Sequence, residues 1–188
     1  MTMTAYESRS YDPVWKALHW LMAVLFLFNV GLGYYASTLH PGVPPRPALL
    51  DVHKSIGVTL FALVLVRLVW RVTQPHPHLP DSFGPLTRAA SALVHGALYA
   101  LMLGMPLSGY VDSIAGGHPF RWFGLFPVPV LLDRNRSLGD LGEQMHLAGA
   151  YAVYALVSLH IAAALWHAVR RDGVISRMMP ARVKINPS

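Results

Sequence analysis

Ten histidines in 188 residues are the richest source of chemistry in this chain, and six of them (His19, His53, His95, His146, His160 and His167) fall in long apolar stretches. Ionisable side chains are costly inside hydrocarbon and are retained there for function. One such histidine could serve as a structural hydrogen-bonder. Six shared among four apolar stretches call for a joint explanation. His146 and His160 lie 14 residues apart. That is nearly four helical turns, so both project from one face, roughly 21 Å apart along the axis. The chain has no cysteine, which removes disulfides, thiolate haem ligands, covalent haem attachment and cysteine-ligated iron–sulfur clusters. Imidazole remains. Paired imidazoles at two depths would hold two haems stacked across a bilayer, with each iron gripped from two different helices.

His53 opens the second apolar stretch and matches the depth of His146. His19 lies in the inner part of the first stretch, and depth admits His160, His167 and His95 alike as its partner. Gly57, Gly149, Ala163 and Ala164 stand near the ligand candidates and would leave room for a porphyrin, although small residues are also ordinary at membrane helix contacts. Zinc and di-metal centres need carboxylates or tightly clustered ligands. Here Asp51 and Glu143 sit only at the outer edge. Arg67 lies within the second stretch. A buried arginine wants an anion, and a haem propionate suits its fork of donors; the alternative is snorkelling to the headgroups.

The elements that must position these residues follow from composition. Hydrophobic residues make up 54% of the chain and charged residues 13%, about half the charge of an average soluble domain. Four spans are expected, at about 14–36, 50–70, 87–111 and 141–169, each long enough to cross about 30 Å of hydrocarbon. The first carries His19 and no small-residue cleavage site, so it is expected to remain as a helix. Proline breaks the segments between spans. "HPGVPPRP" (His40 to Pro47) is expected to be loop, because proline lacks a donor and clashes with a preceding turn. Residues 112–141 form a long loop in which "FRWFGLFPVP" (Phe120 to Pro129) is an interfacial segment and not a fifth span.

Arg9, Lys16, Arg67, Arg71, Arg88, Arg170, Arg171, Arg177, Arg182 and Lys184 fall on one side, ten of the 15 basic residues. The positive-inside rule puts that side, and both termini, in the cytoplasm. A net charge of +6 is explained by this bias, so no nucleic-acid partner is inferred. The expected fold is all-α: an integral membrane four-helix bundle, up-down-up-down, with haem in its core. A cytoplasmic segment 1–13 precedes the 14–170 bundle, and a basic cytoplasmic tail, 171–188, follows it.

In this order the chain carries "KALHW" (Lys16 to Trp20), "DVHKSIG" (Asp51 to Gly57), "VRLVWR" (Val66 to Arg71), "MPLSGY" (Met105 to Tyr110), "HLAGAY" (His146 to Tyr151), "SLHIAAALWH" (Ser158 to His167) and "RMMP" (Arg177 to Pro180). With these motifs it resembles the bacterial cytochrome b561 family of four-helix, di-haem b membrane proteins. The resemblance implies His53 with His146 on an outer haem and His19 with His160 on an inner one. It leaves His95 and His167 as quinone-site candidates. It implies a location in the bacterial inner membrane, among membrane lipid. Members that act as superoxide oxidases take electrons from superoxide at the outer surface and reduce ubiquinone. For such an activity Lys54, beside His53, and the outer Arg46, Arg121, Arg134 and Arg136 would draw in a small anion, although Asp51, Asp112, Asp133, Asp140 and Glu143 share that side, and His167 or His95 would serve the quinone as proton donor. The competing expectation is an electron-conducting anchor for a separate dehydrogenase or periplasmic redox partner, docked on the outer loop.

Overall fold

A computed structural model describes residues 10–74 and 83–179. Residues 1–9 of the expected N-terminal segment, the loop residues 75–82, and Arg182 and Lys184 of the basic tail lie outside the described residues. Four long helices dominate: α1 (Pro13–Ser37), α2 (Arg46–Thr73), α3 (Pro85–Ala115) and α4 (Arg136–Arg170). Consecutive helices pack on one another, as an up-down-up-down bundle requires. All four are long and apolar enough to cross a membrane. Their outward faces carry large apolar side chains such as Leu93, Val72 and Val169. Lipid, not water, is the solvent that this surface suits.

The helices outrun their expected limits because their caps lie further out than the apolar signal. The Asp12 carboxylate accepts the Trp15 N–H at 2.9 Å and starts α1, with Pro13 as its first residue. Helix α2 begins at Arg46, inside the stretch expected to be loop. Pro47 is tolerated there because first-turn N–H groups have no helical partner to lose. The same helix runs on to Thr73, past the expected limit at 70, which puts Arg71 in its last turn. Helix α4 begins at Arg136, not 141, because the Asn135 side chain accepts the Leu138 N–H at 3.1 Å.

The end of the bundle distant from the termini is closed by backbone contact. Gly142 and Gly139 of α4 pack against Asp112 and Gly116 of α3. A Cβ on Gly142 would stand 2.5 Å from the Asp112 nitrogen, and one on Gly139 2.9 Å from the Gly116 nitrogen. Between these helices the expected interfacial segment forms a small antiparallel hairpin, β1 (Arg121–Trp122) with β2 (Phe126–Pro127). Trp122 stacks on Phe126 with centroids 4.9 Å apart. The hairpin is tied to α2: Trp122 donates to the Thr59 hydroxyl at 3.1 Å, and the Phe123 N–H to the Ser55 hydroxyl at 2.9 Å. At the opposite end, residues after α4 fold back over the start of α1. Tyr11 N–H donates to the Arg177 carbonyl, and the Trp20 indole to the Met178 carbonyl.

Candidate haem site

At the hairpin end, His53 of α2 faces His146 of α4 with ring centroids 6.1 Å apart and planes crossed at 86°. Toward the termini, His19 of α1 faces His160 of α4 at 6.4 Å and 75°. With metal–nitrogen bonds of about 2.0–2.1 Å and an imidazole radius of about 1.1 Å, two rings sharing one iron have centroids about 6.3 Å apart. Both pairs fit that spacing, and each draws on two helices.

The pair at the hairpin end is held in detail. A backbone carbonyl can only accept, so the contact between His53 Nδ1 and the Asn29 oxygen, at 3.0 Å, fixes the proton on Nδ1. His146 Nδ1 likewise donates to the Met105 carbonyl at 3.0 Å, with the Ser108 hydroxyl 3.1 Å away. In both rings Nε2 keeps its lone pair for a metal. This is the usual way a neighbouring group sets the tautomer and orientation of a ligand histidine. Glycines seat both rings. A Cβ on Gly33 would approach His53 Cε1 to 2.7 Å, and a Cβ on Gly109 would lie 3.2 Å from His146 Cε1 and Nδ1.

The other sequence candidates take distinct places. His95 of α3 lies edge-on to His160 with centroids 5.3 Å apart, closer than two ligands sharing one iron, and gives its Nδ1 proton to the Ser91 carbonyl at 2.7 Å. It stands beside the His19–His160 pair. His167 is two turns beyond His160 and apart from that pair. Its Nδ1 donates to the Asp172 carboxylate at 2.6 Å, and Phe83 packs edge-on against its ring at 5.7 Å. The His167 N–H is the main cause that holds the Asp172 carboxyl below the usual carboxylate range.

Arg67 lies nearly two turns inside α2, deeper than the shorter expected span implied. Its guanidinium stacks on Trp15 and Tyr99. Lys54 is half buried, its ammonium 5.4 Å from the Phe120 ring centre. Of the other cations at that end, Arg46 is spent on the Ala36 carbonyl, Arg121 on the Gly124 and Leu125 carbonyls, and Arg136 faces Asp140 at 4.0 Å in an exposed pair. Arg134 lies against Gly117. Lys54 is the cation that adjoins a facing histidine.

Several residues at the site escaped the sequence reading. Gly33, Asn29, Gly109 and Ser108 seat the rings from helices that do not carry them, and Asp172 lies beyond the last span. "MPLSGY" contains three of the seat residues around His146, yet only packing assigns them. Of the small residues expected to admit porphyrin, Gly57 faces open space, whereas the space beside Gly149 is taken by the Met105 sulfur.

Comparison with known proteins bears on the whole chain. The chain is 33% identical over 177 residues to cytochrome b561 homolog 2 of Escherichia coli, with 90% of each chain covered. It is 26% identical over 178 residues to a protein named probable superoxide oxidase CybB from Yersinia pestis, covering 93% of this chain and 98% of that one. Cytochrome b561 homolog 1 of Escherichia coli is 27% identical over 170 residues. The family model described as prokaryotic cytochrome b561 matches residues 10–181, and with paired histidines at two levels of a four-helix membrane bundle, this chain belongs to that family.

Proposed function

We propose that this chain is a superoxide:ubiquinone oxidoreductase of the bacterial inner membrane, binding two haem b groups. Its family implies membrane electron transfer and haem b. The observation that carries the two-haem reading is the pair of facing imidazoles at each of two levels, with centroids 6.1 and 6.4 Å apart. His53 and His146 are the ligands of the outer haem, His19 and His160 those of the inner one. Both termini are cytoplasmic, in line with the basic bias of their side.

Haem iron, when bound, supplies reversible one-electron exchange. The protein residues do the rest. Superoxide is a small anion, and Lys54 beside His53 attracts it to the outer face. Two superoxide anions each give up one electron and leave as dioxygen. Ubiquinone takes up those two electrons and two protons as it becomes the quinol. His167, oriented by Asp172, donates a proton to a quinone oxygen at the inner end, and imidazole suits that role near neutral pH. His95, edge-on to His160, would line the inner haem on the α3 side. The superoxide reading is further supported by the likeness to the Yersinia pestis protein named probable superoxide oxidase.

A second reading is favoured by the hairpin, whose Leu125 and Phe126 are 66% and 54% exposed: an electron-conducting anchor that docks a periplasmic redox protein there. Mixing oxidised protein with superoxide, with and without ubiquinone, separates the two. Haem reduction by superoxide, reversed only by quinone, is the expected result. Protein that dithionite reduces and superoxide does not belongs to the second reading.

A further inference from the structure

Arg67 and Arg71 are one turn apart on α2, and both guanidiniums stack on the same two rings. Arg67 lies 5.8 Å from the Trp15 ring centre and 5.7 Å from that of Tyr99; Arg71 lies 5.9 and 5.7 Å from them. Two cations thus share one partly buried box between α1, α2 and α3. Guanidinium stays charged under ordinary conditions, so burial must be offset by a counter-charge. Among the described residues no carboxylate pairs with either one. Asp12 at the start of α1 accepts from the Trp15 N–H and the Trp70 indole. Arg67 Nε is buried and makes no hydrogen bond among the described residues. Rings supply part of the stabilisation, but they accept no forked hydrogen bonds.

We propose that Arg67 and Arg71, walled by Trp15 and Tyr99, form a site for a pair of carboxylates, and that the ligand is the two propionates of the inner haem. The proposal rests on the reading that a haem binds between His19 and His160. His19 lies one turn beyond Trp15 on α1, and His95 one turn before Tyr99 on α3, so the box adjoins that pair. Two guanidiniums match two carboxylates in charge, and each fork binds one of them through parallel hydrogen bonds. Cations beside a haem favour its reduced form, which carries one less positive charge. The box therefore raises the potential of the inner haem and draws electrons toward it. An anionic lipid phosphate has similar chemistry and is the other source that the test must separate.

The test is a spectroelectrochemical titration of purified holoprotein, with haem content and bound anionic phospholipid measured on the same samples. In Arg71→Gln, with both haems retained, the inner haem should show a fall of about tenfold in its reduced:oxidised ratio at fixed potential, about 59 mV for one electron. The outer haem should not move. Arg71→Lys keeps the charge and loses the fork, and should recover most of the shift. Arg67→Gln should shift the inner haem the same way or release it; if that variant does not fold, Arg71→Gln and Arg71→Lys decide. An unmoved inner potential in Arg71→Gln overturns the proposal. Loss of bound phospholipid with both potentials unchanged also overturns it and gives the site to lipid. None of these readings depends on superoxide or quinone turnover. A wild-type protein with no haem held by His19 and His160 would mark failure of the underlying reading instead.

Discussion

The His146 imidazole lies against Gly109: a Cβ there would be 3.2 Å from both its Cε1 and Nδ1. The same ring gives its Nδ1 proton to Met105, four residues earlier on α3. One helix therefore both makes room for the ring and fixes its tautomer. Gly109→Val should push the ring off that seat. Outer haem content should drop severalfold while the inner haem stays, as read by haem-to-protein ratio and by the two α-band components. Gly31→Ala, at an exposed position of α1 with nothing within 4 Å of an added Cβ, is the matched control and should keep both haems.

Removing ligands tests the pairing directly. His53→Leu and His146→Leu should each halve the haem content through the same spectral component, and His19→Leu and His160→Leu should each remove the other component. His167→Leu should keep both haems and slow quinone reduction. A haem lost from the His167 variant would exchange the roles of His160 and His167.

Ring orientation has its own signature. Imidazole planes crossed at 86° and 75° leave the two π-type iron orbitals nearly equal in energy. Both ferric haems should then give strongly anisotropic low-spin resonance signals at low field. Ordinary three-line rhombic spectra would mean that the rings turn toward parallel when haem binds.

Lys54→Gln removes the cation next to His53. With superoxide as donor, the bimolecular rate should fall about tenfold at low salt, with a weaker ionic-strength dependence than wild type, because steering of a small anion is screened by salt. Reduction by dithionite should still go to completion in this variant. A superoxide rate equal to wild type would remove Lys54 from the entry path.

Asp172 sits just past α4, its carboxyl held below the usual carboxylate range chiefly by the His167 N–H. A depressed carboxyl pKa stabilises the folded contact above the ordinary carboxylate range, and that contribution is lost as pH falls through the lowered value. The dyad should therefore persist under mildly acidic conditions. Isotope-edited infrared titration of Asp172 should find it ionised below the pH at which a free aspartate is half protonated. In Asp172→Asn the ring loses its charged acceptor, and quinone reduction should slow with both haems intact.

Much of this architecture was already written in the sequence. Four apolar runs too long for anything but spans set the fold, because lipid demands continuous helix with internally satisfied backbone. The 14-residue interval from His146 to His160 set two levels on one face, since helical geometry converts residue number into depth. Partner choice was a different matter. Depth admitted His95, His160 and His167 opposite His19, and only the lateral arrangement of the helices put His160 across from it, His95 beside it and His167 with Asp172. Caps, not apolarity, decide helix ends, so Pro47 and Arg71 belong to α2 although the apolar run alone leaves both outside the second span. The seats of the rings were hidden altogether: Gly33 and Gly109 matter because another helix brings a histidine against them. Periodicity along one strand of sequence fixes height and facing, but contacts between helices depend on how the bundle packs.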